Sequence, residues 1–492
     1  MESLKVYILT EGSSTIGFGH ITRCLSLYQA FKEWGIKPKL IINGDESIKG
    51  LIKGTDYEIT NWLKQQEILG MLKDSDIVII DSYLANREFY ENLSKIVKLP
   101  VYIDDNKRID YPEGIVVNGN IHAKDLDYPR KRGITYLLGT EYIPLRREFW
   151  EVPRKEIRNT VESIMITFGG DDVRNMTPRI LKLLSKHHPN LKKHVIIGKG
   201  FNNIKEIESV ADINTSLIYF PNAERIKQVM LDSDIAISAG GQTLYELARV
   251  GIPTIVVAVA ENQLKSIESW QRSGFVDYAG WWENKEELDR RILSFLETLE
   301  AINIRLKKSN VGQSFVDGKG SLRTVKKILE FFIKKELVFR KAKKEDIWDI
   351  YEISNDKSVR QVSLNPNPID RNEHTVWFLK HYASNFYVLE FRKVVIGQIR
   401  FDIKNGNKAI VSISIHKNFR RLKLGMFLLL KALDEFLRKN PNVKKVVAVI
   451  KKNNLASRVL FERIGFRKTK GTGEWLEYEI GRSDYERNKN SR

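Results

Sequence analysis

The sequence predicts two successive doubly wound α/β units followed by a smaller α+β unit, on three observations. Short β-rich runs alternate with helix-patterned stretches over residues 1–152, the same rhythm restarts after a charged, proline-bearing segment, and near Leu337 it gives way to longer alternating strands. The length of 492 residues agrees, because one ordinary domain takes ~100 to 200. With 42% hydrophobic and 29% charged residues and no long Gly-, Pro- or Ser-biased tract, the chain is expected to fold throughout rather than remain disordered.

In the first unit the order is VYILT, a helix over Ile21 to Trp34, LIIN, a helix near Ile48, IVIID, a helix over Asn86 to Lys98, and VYIDD. Strand and helix taking turns argue a mainly parallel sheet. EVPRK at 151–155 reads as a linker. The second unit, 153–335, runs SIMITF, a helix over Thr177 to His187, HVIIG, LIYF, a helix from Ala223, DIAIS, a helix from Thr243, and TIVVAV. The third, 337–482, opens with a helix start at Lys344 to Asp346 and continues through YVLEFRKVVIGQIRFDI and AIVSISI, whose alternation suits antiparallel strands. A helix from Gly425 to Lys439, the strand KKVVAVI, a helix from Ala456 to Ile464 and a strand near Trp475 to Ile480 complete it. Residues 483–492 are polar and are expected to form a flexible tail.

Several function classes drop out early. The longest apolar runs, Thr254 to Ala260 and Met426 to Leu430, fall short of the ~18 residues of a membrane span, so no membrane partner is expected. The start lacks the pattern of a secretion signal, which makes the cytoplasm the expected location. A single cysteine, Cys24, excludes an internal disulfide and any cysteine cage for a metal. The net charge of +19 is lopsided: from Leu337 onward 33 Lys and Arg face 17 Asp and Glu, whereas the preceding residues carry 48 against 45. A basic third is expected to hold an anion, either nucleic acid or a phosphate-bearing cofactor. The absence of aromatic-rich basic stripes argues against nucleic acid, whose binder would show a steep salt dependence.

Candidate chemistry in the first unit lies just after its first strand, where Gly17-Phe18-Gly19-His20 precedes Arg23. The glycines let backbone amides approach a ligand, and the following helix N-terminus favours anions. Taken alone, His20 reads as a capping or solvated histidine, and Cys24 as a small buried hydrophobe. In the second unit Gly240-Gly241-Gln242-Thr243 sits at a strand-to-helix junction suited to a diphosphate, with Glu246 one turn in, where it suits ribose hydroxyls. Paired glycines also serve plain turns, and an early-helix glutamate is favoured by the macrodipole alone. Phe168-Gly169-Gly170-Asp171-Asp172 with Asn175 forms a second junction, in which Asp172 equally reads as a helix cap.

Together, the GxGHxxR loop (Gly17 to Arg23), Asp81-Ser82-Tyr83, Leu138-Gly139 through Tyr142 to Leu145-Arg146 and Glu148-Phe149, GGDD with Asn175, AGGQTLYE, and Glu261-Asn262-Gln263 resemble one enzyme family over residues 4–335. It is the UDP-2,4-diacetamido-2,4,6-trideoxy-β-L-altropyranose hydrolases of pseudaminic acid biosynthesis, relatives of GT-B glycosyltransferases. The resemblance implies two Rossmann-like lobes in a GT-B-like arrangement, metal-independent removal of UDP by water, His20 as the catalytic histidine and Tyr83 as the active-site tyrosine. It further implies substrate contacts from Gly17, Gly19, Arg23, Gly170, Asn175, Gly240, Gly241, Gln242, Thr243, Glu246, Asn262 and Gln263. GGDD departs from the commoner GG(S/T)D, which puts a phosphate contact by Asp171 in doubt.

In the third unit VSISI runs into His416-Lys417-Asn418-Phe419-Arg420-Arg421-Leu422-Lys423-Leu424-Gly425, joining a helix N-terminus to a basic turn in a way that suits a pyrophosphate. The pattern resembles the acetyl-CoA loop (Q/R)xxGx(G/A) of GNAT acetyltransferases, with Lys423 in place of the middle glycine. Asn453 to Ala456, Phe461 and Gly465-Phe466 resemble the second GNAT signature, with Phe461 where many members place a proton-donating tyrosine, so water or another group must serve. The resemblance implies acetyl-CoA as co-substrate, held by Ile415, Arg420, Arg421, Lys423, Leu424, Gly425 and Asn453, with strand N–H groups around Ser414 to His416 polarising the acetyl carbonyl. His374 and Trp377-Phe378 resemble its substrate-side segment, although Trp377 as core and His374 and His381 as solvated are the plainer readings. The combined expectation is a bifunctional enzyme that N-acetylates a UDP-4-amino-4,6-dideoxy sugar and strips UDP from the product, with a small-molecule UDP-sugar as partner. A GT-B-like glycosyltransferase fused to an acetyltransferase of other specificity is the alternative.

Overall fold

The computed structural model describes residues 4–13 and 17–490, so Ser14, Thr15 and Ile16 of the glycine-rich loop and the last two residues lie outside the described residues. The chain divides into two compact units, Glu2–Ile328 and Leu329–Arg492.

The first unit holds two parallel sheets. Its N-terminal lobe contains β1 (Val6–Gly12), α1 (Gly19–Lys32), β2 (Lys39–Gly44), β3 (Asp56–Ile59), α2 (Gln65–Leu72), β4 (Ile77–Asp81), α3 (Arg87–Ile96), β5 (Leu99–Ile103), β6 (Gly114–Asn118) and β7 (Ile134–Leu138). The strand order is β3-β2-β1-β4-β5-β6-β7, every pairing parallel. Strands β4 and β5 are buried along their whole length, as expected of apolar runs covered by helices on both faces. The order reverses between β1 and β4, so the loops after these two strands part and leave a crevice at their C-terminal ends. His20 follows β1, Tyr83 follows β4, and Asp104-Asp105 follow β5. The core under this edge packs Trp62, Phe89, Tyr90 and Tyr102 together.

The C-terminal lobe contains β8 (Ser163–Thr167), α4 (Met176–His187), β9 (Lys192–Ile197), α5 (Ile204–Val210), β10 (Thr215–Tyr219), α6 (Ala223–Asp232), β11 (Ile235–Ala239), α7 (Thr243–Val250), β12 (Thr254–Ala258), α8 (Leu264–Ser273), β13 (Val276–Trp281), α9 (Lys285–Leu299), α10 (Ile302–Phe315) and α11 (Gly320–Lys335). The order β10-β9-β8-β11-β12-β13 is again all parallel and reverses between β8 and β11, the two strands that lead into GGDD and AGGQT. Two apolar layers cover the faces of this sheet, one around Trp270 and Phe275 and the other around Ile180, Leu184 and Ile292. Each fully buried Leu, Ile or Phe in them contributes about 1.5–3 kcal/mol. Both lobes of the first unit are thus doubly wound, as the sequence predicts.

The second unit contains β14 (Leu337–Lys341), α12 (Ile347–Asn355), α13 (Lys357–Arg360), α14 (Arg371–His381), β15 (Phe386–Phe391), β16 (Val394–Lys404), β17 (Lys408–Ile415), α15 (Leu424–Lys439), β18 (Lys445–Lys451), α16 (Leu455–Ile464), β19 (Arg467–Thr472), β20 (Trp475–Gly481) and α17 (Arg482–Asn490). The sheet order is β14-β15-β16-β17-β18-β20-β19, antiparallel except for β17 and β18. That parallel pair touches only through Lys408–Ile410 against Lys445–Val447. Beyond it β17 stays with β16 and β18 with β20, so the sheet forks. This is the α+β arrangement expected of the third unit.

Three expectations need correction. The helix near Ile48 is only the 3-10 turn Glu46–Ile48, opened by Asp45 accepting from Ser47 N at 2.9 Å. The linker at 151–155 is pinned, because Lys155 is buried and donates to the Met230 and Leu231 carbonyls at 3.3 and 2.7 Å. The flexible tail is instead helix α17 through Asn490, anchored by buried Tyr485, whose hydroxyl donates to Asp434 at 2.8 Å. Among the described residues no helix is long and apolar enough to cross a membrane.

Candidate functional sites

His20 enters the crevice on the first turn of α1. Its Nδ1 lies 2.7 Å from Asp81 Oδ1, a carboxylate at the end of β4 that is fully buried. An ionised carboxylate only accepts, so in the neutral ring Nδ1 carries the proton and Nε2 the lone pair, although Arg23 NH2 also lies 3.1 Å from Nδ1. Arg23, one helical turn on, grips both oxygens of Asp81, with Nε to Oδ2 and NH2 to the Oδ1 that His20 also meets, both at 2.5 Å, and its NH1 reaches Asp105 at 2.8 and 2.9 Å. Burial pushes Asp81 toward the neutral form, but Arg23 and His20 outweigh it and hold the group well below the usual carboxylate range. Asp105 is likewise depressed: burial opposes ionisation, and Arg23 prevails.

Tyr83 stands edge-on to His20, with ring centroids 4.7 Å apart, and donates to Asp105 at 2.5 Å. Burial and the Asp105 charge raise its pKa, so the phenol stays protonated and donates. The turn that carries Tyr83 is held by buried Glu11, which accepts from Tyr83 N at 2.7 Å and from the Ser82 hydroxyl. Asn120 extends the network by donating to Asp105 at 2.9 Å and accepting from the Tyr245 hydroxyl at 2.9 Å. Cys24 is fully buried beneath it, and burial pushes its thiol pKa well up. The native thiol is therefore expected to resist a disulfide reagent that labels it at once in denaturant. Rapid labelling of the folded protein would contradict this packing.

At the second-lobe junctions, Asp172 is buried and accepts from Met176 N at 2.9 Å and Thr177 N at 2.7 Å, so it does cap α4. Asn175 adopts the left-handed conformation (φ +52°) and accepts from Asn203 Nδ2 at 3.0 Å, apart from the cavity described next. Asp171 borders that cavity, and burial raises its pKa. A Cβ on Gly240 would come within 2.5 Å of Ile267, whereas Gly241 faces open space. Gln263 Oε1 accepts from Gly240 N at 3.3 Å and Val259 N at 3.2 Å, tying the ends of β11 and β12 together. Glu246 is buried and gripped bidentately by Arg146 at 2.7 and 2.6 Å.

These residues surround two adjoining cavities within the first unit. The larger, about 740 Å³, is bordered by Gly17, Gly170, Thr243, Glu246 and Arg146. The smaller, about 230 Å³, is bordered by Arg23, Tyr83, Asp105, Asn120, His122 and Gly240. Gly19, His20, Gly241, Gln242, Asn262 and Gln263 line both, so the histidine stands where the two meet. The sequence reading did not assign Asp81, Asp105, Asn120, His122 or Arg146. The first two close β-strands of a doubly wound sheet beside its reversal point, a positional signal that was available. Among the described residues no three His, Cys, Asp or Glu side chains gather as a metal-binding group.

In the second unit a cavity of about 600 Å³ fills the fork, walled by Ile413, Ser414, Val449, Phe461, His374 and Trp377. His416 N donates to Ile396 O at 2.9 Å, and alternation along an antiparallel ladder then turns the N–H groups of Ile413 and Ile415 toward the fork. The N–H groups that face the fork thus belong to Ile413 and Ile415 and not to His416. In the basic turn, Arg420 binds Ile415 O at 3.0 Å, Ser358 Oγ at 2.6 Å and Asp356 Oδ1 at 3.2 Å. Arg421 (φ +67°) and Lys423 (φ +56°) are left-handed, the latter at the N-cap of α15, which is why a glycine suits that position in the pattern. Leu424 is buried and Gly425 opens α15 beside it. The turn thus gathers the start of α15 and the Arg421 and Lys423 side chains, while the Arg420 guanidinium is taken up by Ile415 O, Ser358 and Asp356. Asn453 is exposed, while Asn454 caps α16 through Ser457 N at 3.1 Å and borders the cavity. His374 is buried, not solvated, and donates from Nε2 to Ile347 O at 3.0 Å. Phe461 is buried in the cavity wall, edge-on to Phe466.

The fold is a pair of doubly wound lobes followed by a GNAT-like α+β domain, and comparison with known proteins agrees. An acetyltransferase (GNAT) domain model matches residues 336–467, and a glycosyltransferase family 28 C-terminal domain model matches residues 164–267. An uncharacterized protein of Methanocaldococcus jannaschii is 24% identical over 97% of this chain and 100% of its own length. The UDP-2,4-diacetamido-2,4,6-trideoxy-β-L-altropyranose hydrolase of Campylobacter jejuni is 26% identical over 54% of this chain and 96% of its own. The Helicobacter pylori pseudaminic acid cytidylyltransferase and UDP-2,4-diacetamido-2,4,6-trideoxy-β-L-altropyranose hydrolase is 24% identical over 55% of this chain, which spans only 47% of that relative. These findings support a bifunctional, sugar-modifying enzyme with an acetyltransferase domain.

Proposed function

We propose that the first unit hydrolyses a UDP-2,4-diacetamido-2,4,6-trideoxy sugar and that the second acetylates its UDP-4-amino-4,6-dideoxy precursor, as consecutive steps of a pseudaminic acid type synthesis in the cytoplasm. The observation that carries the reading is the His20–Asp81 pair at the junction of a nucleotide-sized and a sugar-sized cavity. With Nδ1 committed to Asp81, Nε2 of neutral His20 accepts a proton from water as the water oxygen bonds to the anomeric carbon. The bond from that carbon to the diphosphate oxygen breaks, and its electron pair leaves with UDP. The buried carboxylate stabilises the imidazolium so formed. The glycine-rich turns at the ends of β8 and β11, with the α7 N-terminus, meet the diphosphate charge.

In the second unit acetyl-CoA would supply an activated acetyl thioester. Arg421, Lys423 and the start of α15 would hold the pyrophosphate, Arg420 would fix the turn through Asp356 and Ser358, and the Ile413 and Ile415 N–H groups would orient the acetyl carbonyl. Arg420→Ala is expected to raise KM for acetyl-CoA about tenfold with a smaller change in kcat, because it removes both a cation and the tie from the turn to Asp356 and Ser358. Initial rates at varied acetyl-CoA check this. Covalent fusion adds local concentration for consecutive reactions without any new contact.

The test is direct. The purified chain should release UDP from the diacetamido substrate in water alone and consume acetyl-CoA with the 4-amino precursor. The family 28 match favours one rival, a glycosyltransferase, which would release UDP only after an acceptor is added. Absence of both reactions would overturn the proposal.

A further inference from the structure

His122 is a buried imidazole, 4% exposed, in the wall of the smaller cavity, and neither of its ring nitrogens has a hydrogen-bond partner. A buried polar group left unpaired loses its hydration for nothing in return, so native proteins seldom keep one without a use. The neighbours have their own bonds: Asn120 serves Asp105 and Tyr245, Tyr83 serves Asp105, and Tyr245 OH meets Ser266 Oγ at 3.3 Å. Burial lowers the pKa of His122, and the Asp105 backbone, though near enough to favour protonation, completes no hydrogen bond to it. The ring is therefore neutral and carries one donor and one acceptor. A half-turn about its Cβ–Cγ bond exchanges a carbon edge for a nitrogen edge, so the ring can turn either function toward a guest.

We propose that His122 is a specificity residue that hydrogen-bonds an acylamino substituent of the sugar. The proposal rests on the reading of the first unit as a UDP-sugar hydrolase. An acylamino group bears one N–H and one carbonyl oxygen, so it complements whichever function the ring presents. A polar residue with no protein partner in the pocket also penalises a substrate that leaves it unpaired, which is how a site rejects an analogue lacking one polar group. His122 lines the smaller cavity and not the larger, nucleotide-sized one, so the group it reads belongs to the sugar rather than to the nucleotide.

The experiment compares the full-length chain with its His122→Phe and His122→Asn variants on the diacetamido UDP-sugar and on two analogues, each with a hydroxyl in place of one acetamido group. Wild type should lose about tenfold or more in kcat/KM on one analogue. His122→Phe should lose a similar factor on the parent and little more on that analogue, the non-additivity that marks a direct contact. His122→Asn, which keeps a donor and an acceptor, should recover part of the preference. UDP affinity by calorimetry should stay within twofold in all three proteins, which also reports correct folding of the phenylalanine variant. Equal losses on all three sugars, or no loss at all, would overturn the assignment while leaving the hydrolase reading intact. Wild type that binds UDP but hydrolyses none of the three sugars would overturn both.

Discussion

Replacing His20 with alanine is expected to lower UDP release by about 10³-fold, within the range for loss of a general base, while acetyl-CoA consumption by the second unit stays unchanged. The expectation follows from the geometry of one bond. Because Asp81 fixes the proton on Nδ1, the ring has a single free base, and nothing else that lines both cavities offers one: Asn262, Gln242 and Gln263 are amides, and Gly19 and Gly241 have no side chain. Asp81→Asn should also be slow, since an amide no longer dictates which ring nitrogen carries the proton. Single-turnover UDP release and acetyl-CoA consumption, measured on one preparation, check both. If His20→Ala kept more than a tenth of wild-type release, the water would be activated by another group.

The strand-helix rhythm and the glycine junctions were legible because they depend on local chemistry. Apolar runs such as IVIID encode buried strands, and GFGH and AGGQT encode turns followed by helix starts. Strands β3, β6 and β7 escaped notice: DYEI is short and polar at the sheet edge, and a lone five-residue run carries little period. Lys423 was legible in a different sense, since a lysine in a glycine's place marked the residue that the structure puts in the left-handed region. The charge network was not legible. The resemblance implies that Arg23 contacts substrate, yet its donors bind Asp81 and Asp105, which lie 58 and 82 residues away in sequence. Only the sheet order brings the ends of β4 and β5 beside α1, and no local pattern states that order. His122 was silent for a similar reason, because an orphaned nitrogen is a property of the packed neighbourhood.

The second large effect lies in that network. Arg23→Leu removes the guanidinium that, among the described residues, bridges Asp81 and Asp105, leaving one buried and one half-buried carboxylate without it, and is expected to cost about 3–5 kcal/mol of stability at neutral pH. The pH dependence distinguishes this cause from lost packing. In the wild type both aspartates have folded-state pKa values depressed below their unfolded ones, so their contribution is fully present above the unfolded carboxylate range and is lost only as pH falls through the lower folded values. Without the guanidinium, only the hydrogen bonds from His20, Tyr83 and Asn120 oppose burial and mutual repulsion, and both pKa values rise. The variant's carboxylates then cost stability at neutral pH, and part of that cost is relieved as pH falls through the raised values, because protonation removes the buried charge. Denaturant midpoints of wild type and variant should therefore converge on acidification from pH 7 to pH 5. A gap that is constant across that range would mean that Arg23 acts through its aliphatic packing and not through its charge.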